Sequence, residues 1–317
     1  MITVVIPCYK VKNQILQVLS EIPEIVGRII AVDDACPEHS GKYILENCTD
    51  PRVEVLFHEK NLGVGGAVKT AYRRALEEGA SIVVKLDGDG QMNPALISRF
   101  IDPVLKKTAD YVKGNRFYDF SYLKGMPWIR KLGNSLLSFV SKMVSGYWNI
   151  MDPSNGYTAI SAEVLKHLPL EKIDNRYFFE SDMLFRLYTI RAVVRDIPMK
   201  AVYGTEQSSL KIHQVFCKFP PKYLTRLFKR IFYNYFLRDF NIGSVELVIS
   251  FILMTFGIIF GIIKWTVSIE TARPATAGTV LLAGLPIILG FQSLINFIHF
   301  DVGNVPEKPI TQIIGEE

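Results

Sequence analysis

The chain has 317 residues with 36 basic and 31 acidic side chains, so its net charge of +5 is modest, and 49% of its residues are hydrophobic. This length allows one or two domains with full cores. The excess positive charge lies near two apolar segments, so we assign it to anionic lipid headgroups and expect no nucleic-acid partner. Four cysteines without a CxxC pair indicate a reducing compartment.

The first half of the chain alternates short apolar runs with helical patterns. Strands are predicted at residues 3–6, 28–32, 53–57, 81–86 and 110–113, and helices at 14–22, about 39–47, 65–78 and 94–106. Apolar strands separated by helices predict an α/β fold with a mostly parallel sheet covered by helices. Ligands in such sheets bind beyond the carboxyl ends of the strands.

Polar residues follow the predicted strands at these ends. Asp33 and Asp34 follow the second strand, a loop with Asn61 the third, Asp87 and Asp89 the fourth, and Arg116 the fifth. One crevice could collect all of them, which makes the clustering more informative than any single motif.

Asp87 and Asp89 lie one residue apart among glycines, a spacing that suggests a divalent cation or an acidic turn. An EF-hand is excluded, because a loop beginning at Asp87 has Met92 where glycine is required and Ser98 where a bidentate glutamate is required. The metal site and the turn both stay open on this motif alone.

Residues 61–69 (NLGVGGAVK) imitate a dinucleotide fingerprint. They follow the third strand instead of the first, and no acid stands about twenty residues further on, so NAD binding is disfavoured. The glycines either admit a phosphate or nucleotide to the backbone or permit tight helix packing.

Two amphipathic stretches and two apolar segments follow. Residues 128–147 leave core packing and the membrane interface equally open, whereas the basic and aromatic stretch at 213–241 favours an interfacial helix. The uncharged segments at 247–263 and 277–300 extend about 26 and 36 Å as helices, against a hydrocarbon core of about 30 Å. We expect a transmembrane hairpin.

The N-terminal stretch lacks a basic region and begins directly with a strand pattern, so no signal peptide is expected. Before the first span the basic residues far outnumber the acids, which places the large N-terminal part in the cytosol. The predicted organisation is a cytosolic catalytic domain at 1–212, a juxtamembrane helix at 213–241, spans at 245–268 and 277–300, and a cytosolic tail at 301–317.

Six motifs occur in the order found in family-two glycosyltransferases with the GT-A fold, and together they make the chain resemble that family. They are residues 4–10 (VVIPCYK), 32–34 (VDD), 61–67 (NLGVGGA), 86–91 (LDGDGQ) with Pro94, 114–116 (GNR) and 179–182 (FESD). Within the family the chain looks most like the polyprenyl-phosphate glycosyltransferases, the group that contains dolichol-phosphate mannose synthase. The resemblance covers about residues 1–215.

The resemblance implies a nucleotide-sugar donor and Mg²⁺ or Mn²⁺. Asp87, Asp89 and Gln91 would hold the metal, which suits hard oxygen ligands, and Asp33 or Asp34 would hold the nucleoside. The implied donor-binding set comprises Pro7, Tyr9, Asp33, Asp34, Gly65, Lys69, Asp87, Asp152 and Lys211. Asp152 is alternatively a turn cap, and Lys211 a solvated lysine.

The implied acceptor is a polyprenyl phosphate, dolichyl or undecaprenyl, whose anionic oxygen attacks without a strong base. It needs cationic positioning, for which Arg116 and Arg130 are the candidates. The implied catalytic residues are Asp89, Arg116 and Asp182, the last as a base or an orienting residue.

The chain departs from the family pattern after Asp34, where Ala35 and Cys36 replace the usual Gly-Ser, so the nucleotide stays open between UDP and GDP. The QxxRW motif of processive synthases is absent, which favours transfer of a single sugar. The expected reaction is transfer of one hexose from the nucleotide sugar to the polyprenyl phosphate, with inversion. Two alternatives remain: a hydroxyl acceptor with Asp182 as base, and a non-catalytic nucleotide-sugar-binding membrane protein. A nucleotidyltransferase is disfavoured because no glycine-rich loop with arginine follows the first strand. A homo-oligomer stays open.

Overall fold

The computed structural model describes residues 1–119, 128–200 and 212–313, without the side chains of 129–131, 134 and 212–217. A seven-stranded sheet has the order β3-β2-β1-β4-β6-β5-β7, and β6 runs antiparallel to its neighbours. The strands are β1 Ile2–Cys8, β2 Arg28–Asp33, β3 Val53–Phe57, β4 Ile82–Lys85, β5 Tyr111–Asn115, β6 Thr158–Ser161 and β7 Val194–Pro198.

Helices cover the sheet and continue beyond it. They are α1 Ile15–Ser20, α2 Ser40–Asn47, α3 Val64–Glu77, α4 Ile97–Leu105, α5 Trp128–Ser145, α6 Ala162–Lys166, α7 Phe179–Thr189, α8 Ile212–Phe232, α9 Ile242–Thr271, α10 Ala277–Gly303 and α11 Ile310–Ile313. Because both faces of the sheet are covered, β2, β4 and β5 are buried at nearly every position.

The predicted α/β class is confirmed, and the five predicted strands and four predicted helices of the first half are all present. The sequence reading missed β6 and β7. The four residues of β6 carry little pattern of their own, and this strand exists because it pairs with β4 on one side and β5 on the other.

The chain divides into two compact units. Unit 1 comprises Met1–Leu227 and Pro306–Glu317, and unit 2 comprises Phe228–Val305. The chain therefore leaves unit 1 before the apolar helices and rejoins it after them. The segment that rejoins unit 1 is attached to Asp110, which is fully buried. The Asp110 carboxylate accepts hydrogen bonds from the backbone N–H groups of Ile310 and Thr311 at 2.9 and 3.1 Å.

Unit 2 contains α9 and α10, which have mean hydropathies of 2.4 and 1.9 over their most apolar windows and are long enough to cross a membrane. They contain the predicted spans at 245–268 and 277–300. The helices pack closely, since a side chain at Gly257 would lie 2.7 Å from the Ala283 carbonyl oxygen. At one end Arg230 and Asp301 form a buried ion pair, with Nη1 to Oδ1 at 2.6 Å.

Candidate active site

The carboxyl edge of the sheet gathers most of the predicted site residues. Asp33 ends β2, Asp87 follows β4 by two residues, and Arg116 follows β5 directly. One strand, β1, separates β2 from β4, and one strand, β6, separates β4 from β5. Neighbouring strands lie about 4.8 Å apart, so the end of β2 is about 10 Å from the end of β4, and the end of β4 is about 10 Å from the end of β5.

Asp33 and Asp34 organise the loops after β2 and β3. Both oxygens of Asp33 accept backbone N–H groups, from Cys36 at 2.7 Å and Gly41 at 2.6 Å. Asp34 accepts from the N–H groups of Leu62 and Gly63 at 2.8 and 2.7 Å, and its Oδ1 lies 2.7 Å from a ring nitrogen of His58. The two carboxylates thus fix the walls of the crevice.

A cavity of about 320 Å³ opens beside Asp33. It is lined by Asp33, Ala35, Cys36, Pro37, His39, Lys42, Phe57 and His58. Such a cleft has the size expected of a small-molecule site and combines one aromatic ring with several polar groups. Pro7 and Tyr9 lie at the end of neighbouring β1, where Tyr9 is 45% exposed.

The glycine-rich segment packs against the protein itself. A side chain at Gly65 would collide with the Asp174 carbonyl oxygen and the Phe179 ring. Lys69 is buried, and its ammonium group donates to the Ile173 carbonyl at 2.8 Å. Burial, followed by the charge of Arg73, lowers the pKa of Lys69. Of the two roles left open for these glycines, tight packing is the one that these contacts support at Gly65.

The loop after β4 carries the predicted metal ligands. Asp87 and Asp89 are half-buried, and Asp89 Oδ1 accepts the Gln91 backbone N–H at 3.0 Å, which holds the turn closed over Gly90. Among the described residues no group of three His, Cys, Asp or Glu side chains forms a ready metal site. Two partly exposed carboxylates and an amide nevertheless fit Mg²⁺ or Mn²⁺, because such ions take one or two carboxylates together with substrate phosphates.

Lys85, which sequence reasoning missed, lies beneath this loop and is 1% exposed. Its Nζ lies 2.8 Å from Asp87 Oδ1, 3.1 Å from the Gly156 carbonyl and 3.4 Å from Glu180 Oε1. Burial lowers the pKa of Lys85, but the charges of Asp87 and Glu180 outweigh it, so the pKa is raised and the group is a cation at neutral pH.

Arg116 is held by Asp152, a fully buried residue. The guanidinium makes a bidentate pair with the carboxylate, at 2.7 Å from Nε and 2.9 Å from Nη2. Burial would raise the pKa of Asp152, but the hydrogen bonds and charge of Arg116 lower it. Asp152 therefore fixes the orientation of a guanidinium that directly follows β5 and is still 28% exposed.

Two buried titratable groups contact the segment between α5 and β6, which also contains Asp152. Lys113 is fully buried and donates to the Asn155 carbonyl, and burial lowers its pKa to about 8. Asp196 on β7 accepts from the Met151 N–H at 2.8 Å and from Asn115 at 3.1 Å, and burial raises its pKa to about 6.

Asp182 is 0% exposed, and all its described partners are donors. Arg226 of α8 donates to it from Nε at 2.7 Å and from Nη2 at 3.1 Å, and the Asp174 N–H donates at 2.9 Å. Asp174 is itself paired with Lys222, one helical turn before Arg226. The sequence placed Arg226 only among the membrane-proximal basic residues. The four-residue spacing between Lys222 and Arg226 places both on one face of a helix, and this was the signal in the sequence that could have identified them as partners of buried acids.

Tyr223, on the same face of α8, contacts α5 and α7 within unit 1. The Tyr223 hydroxyl lies 3.1 Å from Ser141 of α5 and 3.0 Å from Ser181 of α7, and its ring packs edge-on against Phe178. The amphipathic pattern of α5 and α8 therefore serves a shared core in part, while Trp128, Leu132 and Leu136 stay exposed. The Arg130 side chain and Lys211 lie outside the described residues.

Comparison with known proteins gives separate evidence on the family of this chain. The sequence profile of Glycosyl transferase family 2 matches residues 3–168. Over 222 residues the chain is 31% identical to the UDP-N-acetylglucosamine–dolichyl-phosphate N-acetylglucosaminyltransferase of Methanococcus voltae, covering 66% of this chain and 88% of that one. Over 202 residues it is 29% identical to the undecaprenyl-phosphate mannosyltransferase of Micrococcus luteus, covering 62% and 82%.

Solved structures share the fold. Glucosyl-3-phosphoglycerate synthase from Mycobacterium tuberculosis, crystallised with Mn²⁺, UDP and phosphoglyceric acid, matches with a TM-score of 0.53 at 16% identity, covering 73% of this chain and 78% of that one. Mannosyl-3-phosphoglycerate synthase from Rubrobacter xylanophilus matches with a TM-score of 0.54 at 15% identity, covering 76% and 77%. These likenesses confirm the predicted GT-A fold.

Proposed function

The chain belongs to glycosyl transferase family 2, and on that premise we propose that it transfers one hexose from a nucleotide sugar to a polyprenyl phosphate, with inversion at the anomeric carbon. The two polyprenyl-phosphate transferases that it resembles support this acceptor class. The non-catalytic alternative is disfavoured by the retained acidic loop at Asp87 and Asp89.

The observation that carries the proposal is the pairing of Asp182 with Arg226. A hydroxyl acceptor needs a base to take its proton, and Asp182 is the residue that would serve. Asp182 is fully buried and accepts two hydrogen bonds from a guanidinium, so its lone pairs are directed at Arg226. A phosphate acceptor has no such requirement, because it is already anionic at neutral pH.

The reaction follows from this acceptor. An oxygen of the lipid phosphate attacks the anomeric carbon from the face opposite the leaving group, and a new carbon–oxygen bond forms. The bond between that carbon and the donor diphosphate breaks, and its electron pair leaves with the nucleoside diphosphate. Two anions must approach each other, so the cationic Arg116, aimed by Asp152, is assigned to orient the acceptor phosphate.

The donor is assigned to the cavity beside Asp33. Phe57 offers a ring to a base, and the polar groups of His39 and Lys42 line the same space. Since the oxygens of Asp33 are already bound by backbone N–H groups, its main contribution is to shape this wall. The choice between UDP and GDP is left to experiment.

A divalent metal is assigned to Asp87 and Asp89, with Gln91 as a third ligand. Half-buried carboxylates and an amide in one loop are hard oxygen donors that stay partly accessible to solvent, and such ions commonly take substrate phosphates as further ligands. When bound, Mg²⁺ or Mn²⁺ supplies Lewis-acid stabilisation of the charge that develops on the departing nucleoside diphosphate.

The membrane arrangement is part of the proposal. Two apolar helices in tandem give an even number of spans, and the segments before and after them belong to one folded unit. The basic residues before α9 favour the cytosolic side for that unit. The acceptor would then be used at the cytosolic membrane face.

The test is a transfer assay with the full chain in lipid nanodiscs. Radiolabelled UDP- and GDP-hexoses are offered with either a polyprenyl phosphate or the corresponding polyprenol. We expect labelled lipid only with the phosphate, and formation of a polyprenyl-phosphate hexose of inverted configuration. Transfer to polyprenol at a comparable rate would overturn the acceptor assignment and restore the hydroxyl alternative.

A further inference from the structure

Lys85 lies beneath the acidic loop, and the proposed reaction does not use it. It is the last residue of β4, its side chain is 1% exposed, and its ammonium contacts three acceptors from three separate segments. These are Asp87 in the acidic loop, the Gly156 carbonyl before β6 and Glu180 in the first turn of α7. An ammonium has three N–H donors, so this arrangement matches its capacity.

The backbone is shaped to admit this cluster. A side chain at Gly156 would lie 2.5 Å from Lys85 Nζ and 2.6 Å from Asp87 Oδ2. Any residue larger than glycine there would push the ammonium and the carboxylate apart. The contact between Lys85 and Asp87 is thus built into the packing of the loop that precedes β6.

The positive charge of Lys85 affects how strongly the acidic loop attracts a cation. Asp87 and Glu180 both contact the Lys85 ammonium, and Asp89 lies two residues from Asp87 in the same loop. Without that cation, the negative charge here would attract a divalent metal in the absence of substrate. Lys85 offsets part of that charge, since its Nζ lies 2.8 Å from Oδ1 of Asp87, one of the proposed metal ligands. Opposite charges at such a distance attract each other strongly when burial limits their screening by water.

We propose that Lys85 is a positioning residue that keeps the Asp87 carboxylate partly neutralised, so that the divalent metal binds weakly until a nucleoside diphosphate arrives with its own negative charge. This inference rests on the proposed metal site at Asp87 and Asp89. Metal and donor then enter together, and a free metal ion does not occupy the crevice in advance.

Glu180 sets the strength of the effect. Its Oε1 lies 3.4 Å from Lys85 Nζ, so it shares the ammonium with Asp87. Removing the charge of Glu180 should turn Lys85 more fully toward Asp87 and weaken metal binding. Removing Lys85 should act in the opposite direction, and it should also abolish the influence of Glu180 if that influence passes through the ammonium.

The experiment measures Mn²⁺ binding to the full chain in nanodiscs by calorimetry, first with Mn²⁺ alone and then with Mn²⁺ and UDP or GDP. For Lys85→Met we expect Mn²⁺ affinity without nucleotide to rise about tenfold or more, and the gain in affinity on adding nucleotide to shrink by the same factor. Lys85→Arg, which keeps the cation, is expected to preserve most of the nucleotide dependence.

The double variant Lys85→Met/Glu180→Gln separates a relayed effect from a direct one. If Glu180 acts through Lys85, Glu180→Gln lowers Mn²⁺ affinity several-fold in the native background and has a much smaller effect in the Lys85→Met background. Equal effects in both backgrounds would overturn the relay. Unchanged or weaker Mn²⁺ binding by folded Lys85→Met, without nucleotide, would overturn the proposal itself.

Two further results also test the proposal: failure of the native chain to bind Mn²⁺, and failure of Lys85→Met to fold. If the native chain binds no Mn²⁺ even with UDP or GDP, the proposed metal site fails, and the inference about Lys85 fails with it. If Lys85→Met does not fold, Glu180→Gln and Lys85→Arg carry the test. An unchanged Mn²⁺ affinity in Glu180→Gln would then overturn the proposal.

Discussion

Asp110 and Thr311 are 201 positions apart in the chain, yet the backbone N–H and the hydroxyl of Thr311 both donate to Asp110 Oδ1 at 3.1 Å. The other carboxylate oxygen accepts the N–H groups of Ile310 and Val193 at 2.9 and 2.8 Å. One buried carboxylate thereby joins the segment after the last apolar helix to the start of β5 and the segment before β7. The C-terminal segment is a structural part of unit 1.

Asp110→Ala should therefore destabilise this unit. The substitution leaves several buried N–H groups without an acceptor, at about 1–3 kcal/mol for each group that stays unsatisfied. We expect a clear drop in the thermal unfolding midpoint of the detergent-solubilised chain. Asp102→Ala is the matched control, because Asp102 is half exposed and its ion-pair partner in the described part of the chain is the exposed Lys106. Equal midpoints for the two variants would contradict the role given to Asp110.

Asp182 and Arg226 should behave as one functional pair. Asp182→Asn and Arg226→Gln are each expected to reduce turnover with polyprenyl phosphate by a similar factor, and the double variant should lose little more than either single one. A coupling free energy of at least about 1 kcal/mol is expected for a buried, bidentate pair. If Asp182→Asn abolishes turnover while Arg226→Gln leaves it intact, Asp182 acts as a base and the hydroxyl alternative gains support.

Arg116 should matter more for the acceptor than for the donor. Arg116→Ala is expected to raise the KM for polyprenyl phosphate by about tenfold or more, while donor affinity changes little. Asp152→Asn should shift the same KM in the same direction, because the guanidinium loses the carboxylate that aims it. Arg116→Lys is the informative comparison, since it keeps the charge but loses the bidentate geometry. Equal losses in donor and acceptor binding would count against an acceptor role.

Asp89→Ala should remove metal-dependent donor binding and preserve the fold. Calorimetry with Mg²⁺ or Mn²⁺ and the nucleoside diphosphate is the measurement, and the native affinity without metal is the reference. Glu77→Ala, an exposed acid on α3, is the control for a general change in surface charge. Donor affinity that is unchanged in Asp89→Ala would refute the metal assignment.

Asp196 should make stability depend on pH. Its pKa is raised to about 6 by burial, from 3.8, so the folded chain holds a proton that the unfolded chain has released between about pH 4 and 6. Stability therefore falls as the pH rises through this window. Asp196→Asn should abolish that loss and stabilise the chain above pH 6 by up to about 3 kcal/mol.

Asparagine is close to the protonated carboxyl group in size, carries no charge, and keeps an oxygen that can accept the Met151 N–H. Thermal unfolding between pH 4 and 7 checks the prediction. A native chain whose stability rises across this window would refute it, provided that the Asp196→Asn curve runs parallel to the native one.

Much of the architecture was predictable because it is written in local patterns. Apolar runs of four to six residues identified β1 to β5, and the helical periodicity between them identified α1 to α4. Polar residues directly after parallel strands must meet at one edge, which is why Asp33, Asp87 and Arg116 could be grouped before any coordinates were known. The two long uncharged segments likewise predicted α9 and α10.

What the sequence did not reveal are the partners of those residues. Lys85 and Glu180 are separated by 95 positions, Asp182 and Arg226 by 44, and Asp110 and Thr311 by 201. Each pair depends on packing between distant segments: α7 against the end of β4, α8 against α7, and α11 against the residue before β5. A buried charge is stable only where packing brings it an opposite charge or a donor. The chain by itself therefore determined the edge where the site lies, because a helix between consecutive apolar strands makes those strands parallel and brings their carboxyl ends to one edge. Only the tertiary structure decided which acids are engaged and which cations they aim, because those contacts join segments that no local pattern connects.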